Sequence, residues 1–406
     1  MSADWREALF ARRALGVRLG TASLAAVLDR LRPGMREQPP FFVTQIVGTN
    51  GKSSTAAMLE HGLRALGHGP VGLYTSPHLV RVGERIRIDG AAVTDEEMRA
   101  GAVRVGEAEA GDSLTYFETL TAIALDRFVA AGCRHVVLES GLGGRTDATS
   151  VIARHQVLIS RIGLDHERFL GEGIAAITRD KAAVIAPKVP VASVIQRDDA
   201  REIIESAARE RQAPLTFVEP LERPPVGLLG DHQRHNGALA LAGLRQVSPH
   251  AGPEALDGVR WSGRLERRSV ASGELWLDVA HNQDGVEALR AAVIELGIEP
   301  SVIVFGTLAD KPAETMAAVL RELAPLWLVP PVADQAFASE AVALPGELRF
   351  AATVDPALLQ GLRDRLEAGE RILVCGSHYL VGVLGRALVD GDFSASDLGD
   401  PRWCSV

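Results

Sequence analysis

The sequence predicts an α/β fold, a mainly parallel sheet with helices on both faces, followed by a smaller α/β unit. Two observations carry this. Short apolar runs rich in Val and Ile alternate with longer Ala/Leu/Arg/Glu stretches, which is the rhythm of βαβ units. After Asp257-Gly258 that rhythm restarts, dividing the 406 residues into a first domain over 1–258 and a second over 259–406.

In chain order, the runs Phe41 to Val47, Val71 to Tyr74, His135 to Leu138, Val157 to Ser160 and Val189 to Ile195 read as strands of the first sheet. Thr119 to Ala131 and Ala200 to Arg211 space their apolar residues for helices. Glu219 to Val226, broken by prolines, reads as a loop, and Asn236 to Gln246 as an Ala/Leu-rich helix. In the second unit the strands are Leu275 to Ala280, Val302 to Gly306, Leu326 to Val329 and Ile372 to Gly376, and the last dozen residues read as a loose tail.

Composition narrows the function classes. With 47% hydrophobic and 23% charged residues the chain is globular, and a net charge of −9 provides no basic field for nucleic acid or an anionic membrane. Cys133, Cys375 and Cys404 are too few and too scattered for a disulfide framework or a zinc site. The start is charged where a secretory signal needs an apolar stretch, and no apolar run approaches membrane-spanning length, so a cytoplasmic protein is expected.

The strand Phe41 to Val47 runs into Gly48-Thr49-Asn50-Gly51-Lys52-Ser53-Ser54 and then into helix-forming Thr55 to Glu60. Glycines let backbone N–H groups crowd a polyphosphate, the helix presents its positive end, and Lys52 reaches terminal phosphates. Ile46 stands where the longer phosphate-loop pattern has glycine, so this is the compact G-x-x-G-K-S form. A hydroxyl from Ser53 or Ser54 is available to Mg²⁺.

Polar groups stand at the ends of other predicted strands, where a doubly wound sheet builds its site. Thr75-Ser76-Pro77-His78 follows one, Glu139 closes another before Gly141-Leu142-Gly143-Gly144-Arg145, and Asp165-His166 follows a third. A hydroxyl, a carboxylate and an imidazole near a phosphate loop suit a Mg²⁺ shell, although Ser76 also fits simple turn chemistry and His166 a capping role. Glu139 is the most telling, since a carboxylate closing a buried strand is costly unless paired or metal-bound. Lys181 sits on an otherwise apolar helix, where a snorkelling surface lysine is the plain alternative, and Arg264 reads equally as a phosphate ligand or an exposed linker arginine.

Together these strings resemble the folylpolyglutamate synthases of the Mur ligase superfamily, especially the bifunctional dihydrofolate synthase/folylpolyglutamate synthases. The resemblance runs from about Leu15 to about Leu384. It is carried by Gly48 to Lys52, Ser76-Pro77-His78-Leu79, Leu114-Thr115-Tyr116-Phe117-Glu118, Leu138-Glu139 with Gly141 to Arg145, Leu164-Asp165-His166, Asp278-Val279-Ala280-His281-Asn282 and Gly376-Ser377. It implies the Mur ligase architecture, with a P-loop NTPase-like ATP-binding domain followed by a Rossmann-like C-terminal domain. It also implies a ligase in which ATP phosphorylates a carboxylate and the amine of L-glutamate displaces phosphate.

The resemblance implies that Thr49, Asn50, Gly51, Lys52, Ser53 and Ser54 hold ATP together with Asn236, Arg264 and Asp278, the last two from the second domain. Ser76 and Glu139 are implied as ligands of one Mg²⁺ and His166 of a second, with Ser54 assigned as the loop's metal hydroxyl although Ser53 remains its competitor. Lys181 matches a lysine that relatives carry carboxylated on its amine, and Lys52, Lys181 and His281 are the implied catalytic set. His281 and Ser377 match glutamate positions. Val17, Arg18 and Leu19, the pterin-binding loop Leu114, Thr115, Tyr116 and Phe117, and Thr146, Asp147 and Ala148 match pteroate contacts. Dihydropteroate, reduced folates and L-glutamate are the expected partners, and a monomer the expected state.

Departures from the family pattern are Ser53 for a glycine, Gly163 for a common serine, Asp180 for a common glutamate, and Pro312 at the end of Asp310-Lys311-Pro312. The rivals are a monofunctional folylpolyglutamate synthase, a Mur-type ligase acting on a UDP-linked precursor, and a non-catalytic nucleotide-binding regulator. The second would be expected to carry a long UDP-binding segment ahead of the phosphate loop, and the third needs fewer of these polar residues.

Overall fold

A computed structural model of the chain describes residues 5–16, 18, 20–308, 311–328, 349–350, 354 and 356–389. The expectations for Val17, Leu19, Val329, Asp310, Cys404 and the C-terminal tail lie outside the described residues.

The first sheet has strands β1 (Phe42–Val47), β2 (Val71–Tyr74), β3 (Ile86–Ile88), β4 (Ala91–Ala92), β5 (His135–Glu139), β6 (Gln156–Ile159), β7 (Val191–Val194) and β8 (Leu215–Val218). Their order is β4-β3-β2-β5-β1-β6-β7-β8. From β2 to β8 every pairing is parallel, while β3 and β4 add an antiparallel edge. β5 inserts between β2 and β1, and β6 takes the other flank of β1, so the carboxyl end of β1 opens onto the crevice where ligands gather in such sheets.

The pleat sorts side chains between two faces, as burial on both sides requires. Val43, Tyr74, Val136 and Leu138 pack beneath the helices Ala22–Leu31, Asp95–Glu109 and Tyr116–Ala130. Ile46, Leu73, Val137 and Leu158 pack on the other face against Lys52–Ala65 and His232–Arg245.

The second sheet holds β9 (Glu266–Val270), β10 (Gly273–Leu277), β11 (Val302–Phe305), β12 (Leu326–Leu328), β13 (Arg349–Phe350) and β14 (Arg371–Cys375), in the order β13-β12-β11-β14-β10-β9. Only β9 runs antiparallel within it. Leu275, Val304 and Val374 face the helices Pro356–Glu367 and His378–Val389, whereas Trp276, Ile303 and Leu373 face Gln283–Glu295 and Ala313–Arg321.

Several details depart from the sequence reading. β3, β4, β8, β9 and β13 were not expected. β9 is Glu-Arg-Arg-Ser-Val, too charged to read as a strand, and it is tolerated because it lies on an edge. The helix expected from Asn236 begins at His232, its polar first turn masking the start. The expected pterin loop is a helix start instead, with Thr115 and Glu118 forming a reciprocal capping box on Tyr116–Ala130. Among the described residues no helix is long and apolar enough to cross a membrane.

The two sheets meet through close backbone packing. Leu79, in the segment after β2, leans on the core of the second half. A Cβ added at Gly382 would lie 2.1 Å from the Leu79 carbonyl oxygen. Gly382→Ala is therefore expected to lower stability by roughly 1–3 kcal/mol through overpacking, and an unchanged urea midpoint would show that this contact does not form in solution.

Candidate active site

The phosphate loop leaves β1 at Gly48 and enters the helix Lys52–Ala65. Gly48 has φ +150° and Gly51 φ +87°, both in the region that favours glycine. Space imposes the same choice, because added Cβ atoms would lie 2.0 Å from Ser160 Oγ and 2.1 Å from Asn236 Oδ1. Thr49 and Asn50 donate their backbone N–H groups to the Arg161 carbonyl at 2.8 and 3.1 Å, and Thr49 Oγ1 donates to the Gly163 carbonyl at 3.0 Å. Lys52 Nζ rests on the Thr49 carbonyl at 3.0 Å. The first-turn N–H groups of the helix lack intrahelical acceptors, so the loop presents the donors and positive end that a polyphosphate needs.

Glu139 ends β5 beside the loop and is 2% exposed. Oε1 accepts from Ser53 Oγ at 2.9 Å and Oε2 from the Ser76 backbone N–H at 3.2 Å. Burial pushes its carboxyl upward, opposed by the Lys52 charge, the Ser53 hydrogen bond and Arg264. Arg264 reaches across from the second half and donates to Ser53 Oγ at 3.3 Å. Ser53 is thus the loop hydroxyl that meets Glu139, whereas Ser54 lines a different cavity. Ser54, the residue matched to the metal, faces that cavity rather than Glu139. Ser53 and Ser54 are consecutive on a helix and lie about 100° apart around its axis, so only one can turn toward β5.

That other cavity, of about 370 Å³, lies between the halves. Asn50, Gly51, Ser54 and Asn236 line it on the first side, Arg264 and Asp278 on the second. Asp278, 7% exposed, accepts the backbone N–H groups of Leu265 and Ala280, each at 2.8 Å. Burial raises its carboxyl and Arg264 opposes the rise. Asn236 is braced by Gln233 at 2.9 Å.

The histidines are held neutral. His166 adopts a left-handed backbone (φ 56°), its N–H bonded to Asp165 Oδ1 at 2.8 Å. Burial brings its ring down to about 4 against the pull of Asp165. A neutral imidazole is the form that ligates metal. His281 is also lowered to about 4, chiefly by burial. Its Nδ1 donates to the Val279 carbonyl at 2.8 Å, which leaves Nε2 with a free lone pair, 3.7 Å from Asp165 Oδ2. Ser377 instead spends its hydroxyl capping the helix His378–Val389, accepting from Leu380 N at 3.1 Å.

Lys181 is no snorkelling lysine. It is 5% exposed and donates to the Gly48 carbonyl at 2.8 Å. Burial, helped by the Lys52 charge, lowers its amine to about 7, against Asp180, Asp165 and Asp147.

The residues matched to pteroate form a second group. Arg18 donates to the Ser113 carbonyl at 2.8 Å and lies 3.9 Å from Glu118. Leu114, Thr115 and Tyr116 are buried. The Phe117 ring lies 5.7 Å from that of Tyr74, and a Cβ on Gly141 would come within 2.6 Å of it. Asp147 accepts from Leu142 N and Thr149 N, both at 2.9 Å, and is thereby fixed beside Thr146 and Ala148.

Sequence reading gave no role to Asp165, Asn282, Lys311 or Asp284, all of which stand at the seam between the halves. Asp165, Asn282 and Lys311 lie inside or beside quoted strings. Nothing in those strings says that they meet.

The Lys181 environment predicts a pH effect on stability. Between about pH 7 and the ordinary lysine range, the folded chain is neutral at Lys181 while the unfolded chain is protonated. The unfolded state binds more protons there, so stability rises with pH across that window and is flat in this respect below it. In CO₂-free buffer, urea unfolding of wild type and Lys181→Met should show the difference shifting in favour of wild type as pH rises from 7 to 9. A constant difference would place Lys181 in solvent.

Comparison with known proteins fits this geometry. Residues 263–378 match the family described as Mur ligase, glutamate ligase domain. A probable bifunctional folylpolyglutamate synthase/dihydropteroate synthase of Halobacterium salinarum is 34% identical over 91% of this chain, which spans only 49% of that protein's length. The dihydrofolate synthase/folylpolyglutamate synthase of Escherichia coli is 31% identical, with 93% of each chain covered. The structure of E. coli FolC in complex with DHPP and ADP superposes with a TM-score of 0.80 at 27% identity, covering 97% of this chain and 99% of that one. Matched along nearly the whole length of such relatives, in sequence and in structure, the chain belongs to the dihydrofolate synthase/folylpolyglutamate synthase family of Mur ligases.

Proposed function

We propose that this chain is an ATP-dependent acid–amino-acid ligase that joins L-glutamate to dihydropteroate, forming dihydrofolate, and adds γ-linked glutamate to reduced folates. The observation that carries this reading is the convergence of the phosphate loop, Glu139 with Ser53, and the second-half residues Arg264, Asp278 and His281 on one seam. The E. coli FolC structure with DHPP and ADP supports it over the length of the chain.

The acceptor carboxylate attacks the γ-phosphorus of ATP, forming an acyl phosphate as the bond to ADP breaks. The glutamate nitrogen then attacks the acyl carbon and phosphate leaves. Negative charge concentrates on the phosphoryl oxygens in both steps, and Lys52 and Arg264 offset it in a cleft with little water. The lone pair on His281 Nε2 suits acceptance of a proton from the glutamate ammonium before attack. The first-turn donors of the helix Lys52–Ala65 hold the phosphates, while Asn236 and Asp278 hold the rest of the nucleotide in the cavity between the halves.

The donor set fits Mg²⁺. Glu139 is a buried carboxylate without a counter-ion in direct contact, flanked by the Ser53 hydroxyl, with Ser76 at its other oxygen, and His166 presents a neutral ring. Among the described residues no group of three or more acidic, histidine or cysteine side chains is placed to hold a metal ion by itself. Bound Mg²⁺ would neutralise charge on the transferring phosphoryl group. Lys181, with its amine brought down to about 7, is suited to carboxylation by CO₂, which requires the neutral form.

The pteroate group comprises Arg18, Leu114 to Phe117 and Thr146 to Ala148, and Ser377, whose oxygen caps the helix His378–Val389, offers its O–H to glutamate. The chain works as a cytoplasmic monomer of two domains divided near Gly258, with Trp261 still packed on the first core and Leu265 on the second.

Phosphate release should require ATP, L-glutamate and a pteroate or folate acceptor together. Release independent of glutamate would overturn the ligase reading, and activity with reduced folates alone would make the enzyme monofunctional. Glu139→Gln should cut turnover by roughly 10²-fold or more while leaving the far-ultraviolet circular dichroism unchanged; near-normal turnover would remove Glu139 from the site.

A further inference from the structure

Polar contacts between the two halves converge on Asp165, whose side chain is 7% exposed. From the second half Lys311, 4% exposed, forms an ion pair with it, and Asn282 Nδ2 donates to its Oδ2 at 3.2 Å. Asp165 Oδ1 also accepts the His166 backbone N–H at 2.8 Å, so the carboxylate that receives Lys311 is the one that shapes the His166 turn. Asn282 exchanges two amide hydrogen bonds with Asn50 of the phosphate loop, at 3.1 and 2.9 Å, and caps the helix Gln283–Glu295 through Gly285 N at 2.9 Å. Each amide position of Asn282 is thereby used, two donations and two acceptances.

We propose that Lys311 and Asn282 are positioning residues, forming with Asp165 and Asn50 a polar clasp that sets the second half in register with the phosphate loop and the His166 turn. A desolvated ion pair contributes little net stability, because the lost hydration of both ions offsets their attraction. It is instead selective for geometry, since either ion buried without its partner is strongly disfavoured. The amide pair adds direction, as two antiparallel hydrogen bonds fix both distance and rotation. Gly163 permits the approach. A Cβ there would lie 2.2 Å from Asp284 Oδ2, so with glycine the Asp284 carboxylate can lie directly against the turn.

Local consequences follow for a reaction whose groups come from both halves. Loss of Lys311 leaves Asp165 free to turn away from His166, and loss of Asn282 frees Asn50 and unpins the phosphate loop. Displacements of about 1 Å at such a site cost on the order of 10²-fold in rate. The kinetic part of this inference rests on the ligase reading, whereas the structural part does not.

The test is hydrogen exchange by mass spectrometry on the full chain, without ligand and with ADP, combined with ligase kinetics. Lys311→Met should speed exchange in the peptide covering 160–170 by about tenfold or more and lower kcat by at least about tenfold, with the glutamate KM within threefold of wild type. Lys311→Arg should restore both. Asn282→Ala should speed exchange in 160–170 and also in 46–56, and it decides the proposal should Lys311→Met not fold. Unchanged exchange in 160–170 for these variants would overturn the clasp. So would a raised glutamate KM with kcat intact, which would make Lys311 a substrate contact. If wild type lacks ligase activity, the ligase reading fails and the exchange data alone still decide the clasp.

Discussion

The bend of backbone from Gly48 to Lys52 is the constraint on which the rest of this structure depends. It must stay open enough to admit phosphate oxygens and yet be rigid before they arrive. The loop's own side chains accomplish only part of that. Arg161 accepts two of its N–H groups, Thr49 ties it to Gly163, Lys181 holds the Gly48 carbonyl, and Asn236 lies where a side chain on Gly51 would stand. The loop is therefore moulded from the segment that follows β6, from the helix Gly173–Ala182 and from the helix His232–Arg245. Its glycines are needed as much for the closeness of these neighbours as for their dihedral angles.

Burial then sets the electrostatics. The site gathers Glu139, Asp278, Lys181, His166 and His281 where water is scarce, and desolvation pushes each toward its neutral form. Asp165 is the exception. Burial would raise its carboxyl, but His166 and His281, protonated at the low pH where it titrates, and Lys311 outweigh that and hold it well below the usual carboxylate range. A site of this kind holds neutral imidazoles and a low-pKa amine ready for an anionic ligand, while one firmly ionised carboxylate organises the boundary between the halves.

Much of this was legible in the residues. The parallel sheet, the phosphate loop and the grouping of Ser76, Glu139 and His166 at strand ends follow from periodicity and from where strands stop. Misreadings came where local signals conflict with position. β9 carries two exposed arginines because an edge strand has one flank unpaired and open to solvent, and Leu114 to Glu118 was expected as a loop from the family resemblance, whereas its Thr115–Glu118 pair caps a helix. Ser53 and Ser54 could not be told apart, since adjacent residues on a helix differ only in azimuth, and azimuth is fixed by what the helix packs against.

The sequence by itself determined the strand pattern, the phosphate-binding turn, the family and the chemical identity of the groups available. Those properties depend on short-range spacing, which a chain carries in any conformation. Tertiary structure alone decided that Ser53 faces Glu139, that Lys181 is buried against the loop rather than solvated, and that Asp165, Asn282 and Lys311 meet. These depend on contacts between residues far apart in the chain, and burial and charge become definite only when the two sheets are brought together.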